Sequence, residues 1–173
     1  MKTTRPHPDE YDVAFERYVS RVPETDILAA LERQPVELSA ALAAVPAERE
    51  EYRYAPGKWT IRDVVGHMVD AERVMGYRAL AISRGEKAVL PAFEEKDYAA
   101  TAGYAHRPLA SIVDEFACLR ESHVLMLRHL DDEAWGRVGI ANSLPITPRA
   151  LAYVLVGHVR HHAAVLKDKY GVG

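Results

Sequence analysis

The stretch KWTIRDVVGHMVDAERVMGYRALAIS, residues 58–83, decides the fold class of this chain. Apolar side chains recur in it every three or four residues, which is the period of a helix that packs on one side. Thr60 is typical of a helix N-cap, and Asp63 three residues later suits the positive N-terminal end of a helix. Gly85 supplies a stop. The stretch therefore predicts a long amphipathic helix from Thr60 to about Ser83.

Further helices are expected on both sides of this one, because no segment shows the period-2 alternation of strands and hairpins. Three more long helices are predicted: residues 24–45, residues 108–130, and a last helix from the Thr147-Pro148 N-cap pair to about residue 170. Pro35 lies inside the first of these and is expected to kink it or split it in two. Connections are predicted over residues 50–57, 85–107 (with a short helix near 93–99) and 131–143. Four long helices predict an all-α four-helix bundle. We expect a single domain over residues 1–173, with its core at about residues 24–170 and a short N-terminal arm or helix at residues 8–19.

Composition narrows the class of protein. Lys and Arg number 22 and Asp and Glu 25, a net charge of −3 that disfavours binding nucleic acid through a broad basic surface. The first residues lack the apolar run of a secretory signal, and no apolar stretch reaches membrane-spanning length. The single cysteine, Cys118, excludes an internal disulfide framework. We therefore expect a cytoplasmic protein that binds neither nucleic acid nor membrane.

The eight histidines are the most informative residues for function. On a helical wheel His158 and His162 lie near the centre of the apolar face of the last helix, and His161 lies on its shoulder. His67 lies inside the apolar face of the second long helix. His123 lies on the apolar stripe of the third, where we expect a hydrogen-bonded packing residue rather than a ligand.

An i, i+4 pair of histidines places two imidazoles one turn apart, close enough to share one ion. A third nitrogen from His67 would complete three ligands and leave a position open, as in catalytic rather than structural metal sites. Spacing alone leaves another interpretation open, because histidines also pack in cores without metal. The sequence thus predicts a metal site at His67, His158 and His162, with His161 as the substitute for His162.

Three stretches together resemble the DinB-like (damage-inducible) family. They are residues 58–78 around His67, PLASIVDEFACLRESHVLMLRHLDDEAW at 108–135, and ITPRALAYVLVGHVRHHAAVLKDKYG at 146–171. Their order and spacing match the family over about residues 24–170. The resemblance implies a four-helix bundle in which one histidine of the second helix and the last helix's HxxxH pair hold the metal. Those family positions correspond to the three histidines that the helical wheels select.

The resemblance also implies an activity. Relatives include thiol-dependent transferases and isomerases that use bacillithiol, mycothiol or glutathione, and putative metal-dependent hydrolases. We therefore expect a homodimeric enzyme that contains zinc or nickel and acts on a small-molecule substrate. The simplest expectation for its reaction is thiol-dependent S-transfer, in which the metal activates a thiolate. A metal-dependent hydrolase and a non-catalytic metal-binding bundle are the alternatives.

Other side chains are weaker candidates for the site. Glu72, Asp70 and Tyr153 are possible hydrogen-bond partners of the ligand histidines. Three arginines could recognise an anionic thiol or a carboxylate: Arg73, Arg78 and Arg160. The more frequent case is that such arginines are solvated or paired with carboxylates of the same chain. Cys118 is expected to be structural. Four tyrosines near the connections are expected to pack: Tyr52, Tyr54, Tyr98 and Tyr104.

Overall fold

The computed structural model describes residues 4–173 as a four-helix bundle with short elements at one side. The long helices are α2 (Ile27–Leu42), α3 (Ile61–Ser83), α5 (Leu109–Arg128) and α7 (Pro148–Tyr170), and the short ones α1 (Glu16–Val19), α4 (Glu95–Thr101) and α6 (Asp132–Gly136). Single 3-10 turns lie at Pro8–Glu10, Val13–Phe15, Ala47–Arg49 and Tyr104–His106. No helix among the described residues is long and apolar enough to span a membrane.

The helix predictions are confirmed, with boundaries set by the residues that cap each end. Thr60 and Asp63 form a reciprocal capping box at the start of α3, and the Thr147 hydroxyl accepts a hydrogen bond from the backbone of Ala150 in α7. Pro35 does not split α2, which is continuous from its Asp26 cap to Leu42.

The core consists of two apolar clusters, one at each end of the bundle, and they fix the direction of the helices. One cluster contains the beginnings of α2 and α7 and the ends of α3 and α5, and the other contains the opposite ends. Helices α3 and α5 are therefore parallel to each other, and α2 and α7 run in the opposite direction. Because α2 and α3 each pack on α5 and α7, they lie diagonally across the bundle.

The parallel orientation of α3 and α5 explains the long connection between them. The chain leaves α3 at one end of the bundle and must return along its whole length before α5 can begin at the other. Residues 84–108 make this crossover and contain α4, close to the short helix expected near 93–99. Packing of α4 on α3 holds the crossover against the bundle.

A layer of polar side chains separates the two apolar clusters. Arg120, fully buried on α5, donates from Nε and Nη2 to the two carboxylate oxygens of Glu72 on α3 at 2.9 and 2.8 Å. Its Nη1 donates to Gln34 of α2 at 2.7 Å, and the Gln34 amide donates to the carbonyl of Val156 in α7. His123 also contacts Glu72, at 2.8 Å from Nδ1, which confirms it as a hydrogen-bonded packing residue. The layer joins all four long helices.

The expectation of a plain loop over residues 131–143 is wrong. That segment contains α6 and the first strand of an antiparallel hairpin, β1 (Gly139–Ala141) and β2 (Leu144–Ile146). Asn142 and Ser143 have φ of 53° and 61°, the two left-handed residues that a tight two-residue hairpin turn requires. The strands are too short to show a periodic pattern, so the helical signals around them dominated the prediction.

The hairpin also fixes two other segments. Leu90 of the crossover pairs with Ala141, and its N–H donates to the carbonyl of Ile140. On the other side Tyr11 of the N-terminal arm bridges to Ile146. Small backbone ladders therefore hold the arm and the crossover on the same side of the bundle.

We predict that Arg120→Met lowers the free energy of unfolding by about 3–5 kcal/mol, because it leaves the buried Glu72 carboxylate without its counter-charge. Urea unfolding of metal-free protein measures this. Arg120→Met combined with Glu72→Gln should recover part of the loss, since the double variant buries no unpaired charge. The control is Arg128→Met, which removes an exposed partner of Glu32 and should change stability by at most about 1 kcal/mol. Equal losses in the Arg120 and Arg128 variants would contradict the assigned role of the pair.

Candidate metal centre

The structure brings the three predicted histidines together at the contact between α3 and α7. Nε2 of His158 lies 3.1 Å from Nε2 of His67 and 3.2 Å from Nε2 of His162. The imidazole centroids are 4.5 to 4.9 Å apart. Among the described residues these three form the group of His, Cys, Asp and Glu side chains whose donor atoms converge closely enough for one ion.

The donor set fits a divalent cation better than it fits a hydrogen-bonded cluster. A neutral imidazole carries either one proton or one lone pair at Nε2, so His158 completes one hydrogen bond with a neighbour but not two. Three nitrogens around a shared cation each contribute a lone pair. Zinc–nitrogen bonds of about 2.0–2.1 Å at near-tetrahedral angles place ligand nitrogens roughly 3.3 Å apart, close to the separations seen here.

Burial keeps these imidazoles neutral, which is the form that binds metal. Burial, together with the neighbouring charge of His161, lowers the pKa of His67 to about 4. Burial and the other histidines lower the pKa of His162 to about 3 and that of His158 well below its usual range. At neutral pH the site therefore offers three free lone pairs without first losing protons.

Aromatic side chains pack against two of the histidines. The Tyr18 ring of α1 meets His158 edge-on at 5.3 Å, and Trp59 lies 5.0 Å from His67. Gly157 makes the Tyr18 contact possible, because a Cβ there would lie 2.1 Å from the Tyr18 carbonyl oxygen. A larger residue at position 157 would push α1 away from the site.

Glu95 is the site residue that the sequence analysis missed. It is the first residue of α4, and its Oε2 lies 3.7 Å from Nε2 of His67. Half of its side chain is exposed, and no other carboxylate of the described chain lies within 4.0 Å of a ring nitrogen of the three histidines. No motif marks Glu95, because it lies among other acidic residues of the crossover and only the path of the crossover brings it to α3.

Two clefts reach the histidines from different sides. The first, of about 180 Å³, borders His67 and His158 and is walled by α1, α3, the crossover and the hairpin. The second, of about 310 Å³, borders His162 and is lined partly by Tyr54 and Trp59. Glu95 borders both.

The expected hydrogen-bond partners of the ligands lie elsewhere. Glu72 belongs to the polar layer, Asp70 accepts a hydrogen bond from Tyr104, and Tyr153 donates to the carbonyl of Glu24. Nδ1 of His67 is buried with no hydrogen-bond partner among residues 4–173.

The remaining candidates are also accounted for. Arg73 and Arg160 are paired with Glu115 and Glu24, while Arg78 lines the first cleft. Cys118 is a free, exposed cysteine on α5, away from the three histidines, and its structural role stays a prediction. The tyrosines pack as expected: Tyr52 and Tyr54 meet Tyr170 edge-on, Tyr98 meets Phe93, and Tyr104 is buried. His161 is half-buried beside His162, with its ring 4.9 Å away.

Comparison with known families decides the assignment. The model of the DinB superfamily matches residues 30–166, which is most of the chain. The chain belongs to the DinB superfamily. A curated relative from Geobacillus thermodenitrificans (strain NG80-2), named "Putative metal-dependent hydrolase", is 26% identical over 141 residues, covering 79% of this chain and 78% of the relative.

A solved structure shows the same fold. YfiT from Bacillus subtilis, described as "a probable metal-dependent hydrolase with an unusual four-helix bundle topology", superposes on this DinB-superfamily chain with a TM-score of 0.76. The match covers 85% of this chain and 87% of YfiT at 22% identity. The family assignment and the four-helix bundle expected from the sequence are thereby confirmed.

We predict that the purified, untagged protein binds about one divalent ion per chain. His67→Ala and His162→Ala should each abolish stoichiometric binding, because two imidazoles no longer enclose the ion. Metal analysis by inductively coupled plasma mass spectrometry checks this, with His161→Ala as the control that keeps its metal. A wild-type protein that takes up neither zinc nor nickel would overturn the site.

We also predict that the metal-free protein loses stability as the pH falls below 6.5. The unfolded chain protonates its histidines near pH 6.5, whereas folded His67 resists protonation down to about pH 4. Because the unfolded chain binds more protons in this range, the free energy of unfolding falls as the pH falls. The contribution of His67 to this loss should be roughly 2 kcal/mol between pH 8 and pH 5. Urea unfolding at the two pH values measures the loss. His67→Gln should reduce it, whereas replacement of the exposed His106 by Gln should leave it unchanged.

Proposed function

We propose that this chain is a metal-dependent hydrolase of small molecules that uses His67, His158 and His162 as ligands and Glu95 as proton acceptor. The observation that carries the proposal is a carboxylate placed beside three converging, neutral imidazoles at the junction of two clefts. The descriptions of the relative from Geobacillus thermodenitrificans and of YfiT as metal-dependent hydrolases support the same class of reaction.

The protein residues have separate tasks in this reaction. The three histidines hold the ion, and three protein ligands leave a coordination position for water or substrate. A divalent ion there supplies Lewis-acid chemistry, which lowers the pKa of a coordinated water or thiol. Glu95, partly exposed beside His67, accepts the proton of the nucleophile at Oε2 and returns it to the leaving group. Phe15 and Phe93 line the first cleft and limit access of bulk water.

The thiol-dependent transfer expected from the sequence is the second candidate, and the pair of clefts favours it. A transferase must bind a thiol and an electrophile at the same time. The clefts approach the histidines from different sides and share Glu95 at their border, an arrangement that suits two substrates. In this reaction Glu95 accepts the thiol proton. Zinc or nickel as the metal, and the homodimer, stay predictions.

Added thiol distinguishes the two reactions. Zinc-loaded protein is assayed with small nitrophenyl esters and, separately, with an aryl halide electrophile, each with and without glutathione or cysteine. A hydrolase releases product without thiol, whereas a transferase forms a thioether or thioester adduct only when thiol is present. An inactive metal-loaded protein in both assays would favour the non-catalytic metal-binding bundle.

We predict that Glu95→Gln lowers kcat by about 10²- to 10⁴-fold, the usual contribution of a general base, while the metal content stays unchanged. The glutamine amide has the same shape as the carboxylate but cannot accept the proton of the nucleophile. The control is Asp97→Asn, which removes an equal charge from the same short helix and should keep wild-type kcat. A variant that lost activity because it lost metal would instead show that Glu95 supports the ligands.

A further inference from the structure

The wall of the first cleft contains a buried guanidinium without a counter-ion. Arg78 lies on α3, and 3% of its surface is exposed. Arg120, the other arginine buried to this degree among the described residues, has its positive charge matched by the Glu72 carboxylate. Arg78 forms no ion pair with any described carboxylate, although buried charges are ordinarily paired.

The hydrogen bonds of Arg78 leave much of its recognition capacity free. Nη2 donates to the carbonyl of Pro91 in the crossover at 2.7 Å, and Nη1 makes a weak contact with the sulfur of Met75 at 3.5 Å. A guanidinium carries five N–H donors in a planar fork, so at least three remain for another acceptor. Burial lowers the pKa of Arg78, and no neighbouring carboxylate offsets that effect.

The surroundings of Arg78 make its free N–H donors accessible to a small anion. Its side chain lines the cleft that also borders His67, His158 and Glu95. Arg17, an exposed residue of α1, lines the same cleft without a described carboxylate partner and adds a second positive charge. The cleft therefore combines two positive charges with the candidate metal ligands.

We propose that Arg78 is the anion-recognising residue of the first cleft and that the substrate is a small carboxylate. The carboxylate pairs with the Arg78 fork in the bidentate geometry that favours arginine over lysine, and Arg17 adds charge at the cleft mouth. This orientation directs the remainder of the molecule toward the histidines and Glu95. The proposal deepens the proposed function and rests on it for the reaction, but the anion site itself consists only of residues of this chain.

The dimensions of the cleft bound the size of the substrate. A volume of about 180 Å³ lies below the usual 300–1,000 Å³ of sites for drug-sized ligands. Phe93 and Leu144 give its wall an apolar character. The part of the substrate that occupies this cleft is therefore a carboxylate on a short carbon chain.

The first test uses propionate, with propionamide as a neutral molecule of nearly the same shape. Both are titrated by NMR into metal-free and zinc-loaded wild-type protein, with the Nε–Hε signal of Arg78 as the local probe. Propionate should bind saturably to both forms and shift that signal, whereas propionamide should not. Absence of saturable binding, or binding that leaves the Arg78 signal unmoved, would overturn the proposal.

The second test uses variants. Arg78→Gln should weaken propionate binding by at least about tenfold, because one charge-assisted pair is lost. Arg78→Lys should give an intermediate affinity and serves as the readout if the glutamine variant does not fold. The matched control is Arg73→Gln, which removes an exposed, Glu115-paired arginine from the same helix and should keep wild-type affinity. Unchanged binding in both Arg78 variants would overturn the assignment.

The metal-free arm separates this proposal from the proposed function. Propionate that binds only to zinc-loaded protein and equally well to Arg78→Gln would be a ligand of the metal, which overturns the anion site but leaves the metal centre intact. Propionate that binds through Arg78 in a protein unable to take up any metal would support the anion site and overturn the metal-dependent function.

Discussion

The buried ion pair between Arg120 and Glu72 is the constraint on which the rest of the structure depends. It lies between two apolar clusters and, with Gln34, connects all four long helices through side-chain hydrogen bonds. Apolar packing alone tolerates sliding of one helix along another, because many registers bury similar area. A bidentate pair with no exposure to water tolerates one register. The two partners thereby fix the axial positions of α3 and α5, and the amide of Gln34 fixes α2 against α7.

The metal centre depends on that fixed register. His67 is little more than one turn before Glu72 on α3, and His158 follows closely after the segment of α7 that Gln34 binds. A shift of α3 by a single turn, about 5.4 Å, would separate the imidazoles by more than the distance that one ion spans. The charged layer therefore contributes to the site without touching it.

The small hairpin has the corresponding role for the clefts. Both the arm and the crossover pair with its backbone. The arm contributes Tyr18 and Arg17 to the first cleft, and the crossover contributes Glu95. These two segments are distant in sequence, and the arm also packs Tyr11, Phe15 and Tyr18 into the core. Backbone pairing with β1 and β2 gives them defined positions over the histidines. The first cleft thus combines Arg17 of the arm and Glu95 of the crossover with residues of the long helices α3 and α7, as is common where a rigid scaffold supports functional segments.

The sequence by itself determined the four long helices, the caps at Thr60 and Thr147, and the places of the three histidines on apolar helix faces, because each follows from local signals: a 3.6-residue period, a capping residue, an i, i+4 spacing. Only the tertiary structure decided the diagonal placement of α2 and α3 and the hairpin at residues 139–146. It also decided that Glu95 lies beside His67. Likewise, it left Arg78 without a described carboxylate partner, whereas Arg73 and Arg160 are paired. The physical reason is the same in each case. A helical period reports which side of a helix is buried, but a charge's partner and a crossover's path are set by contacts between residues far apart in the chain.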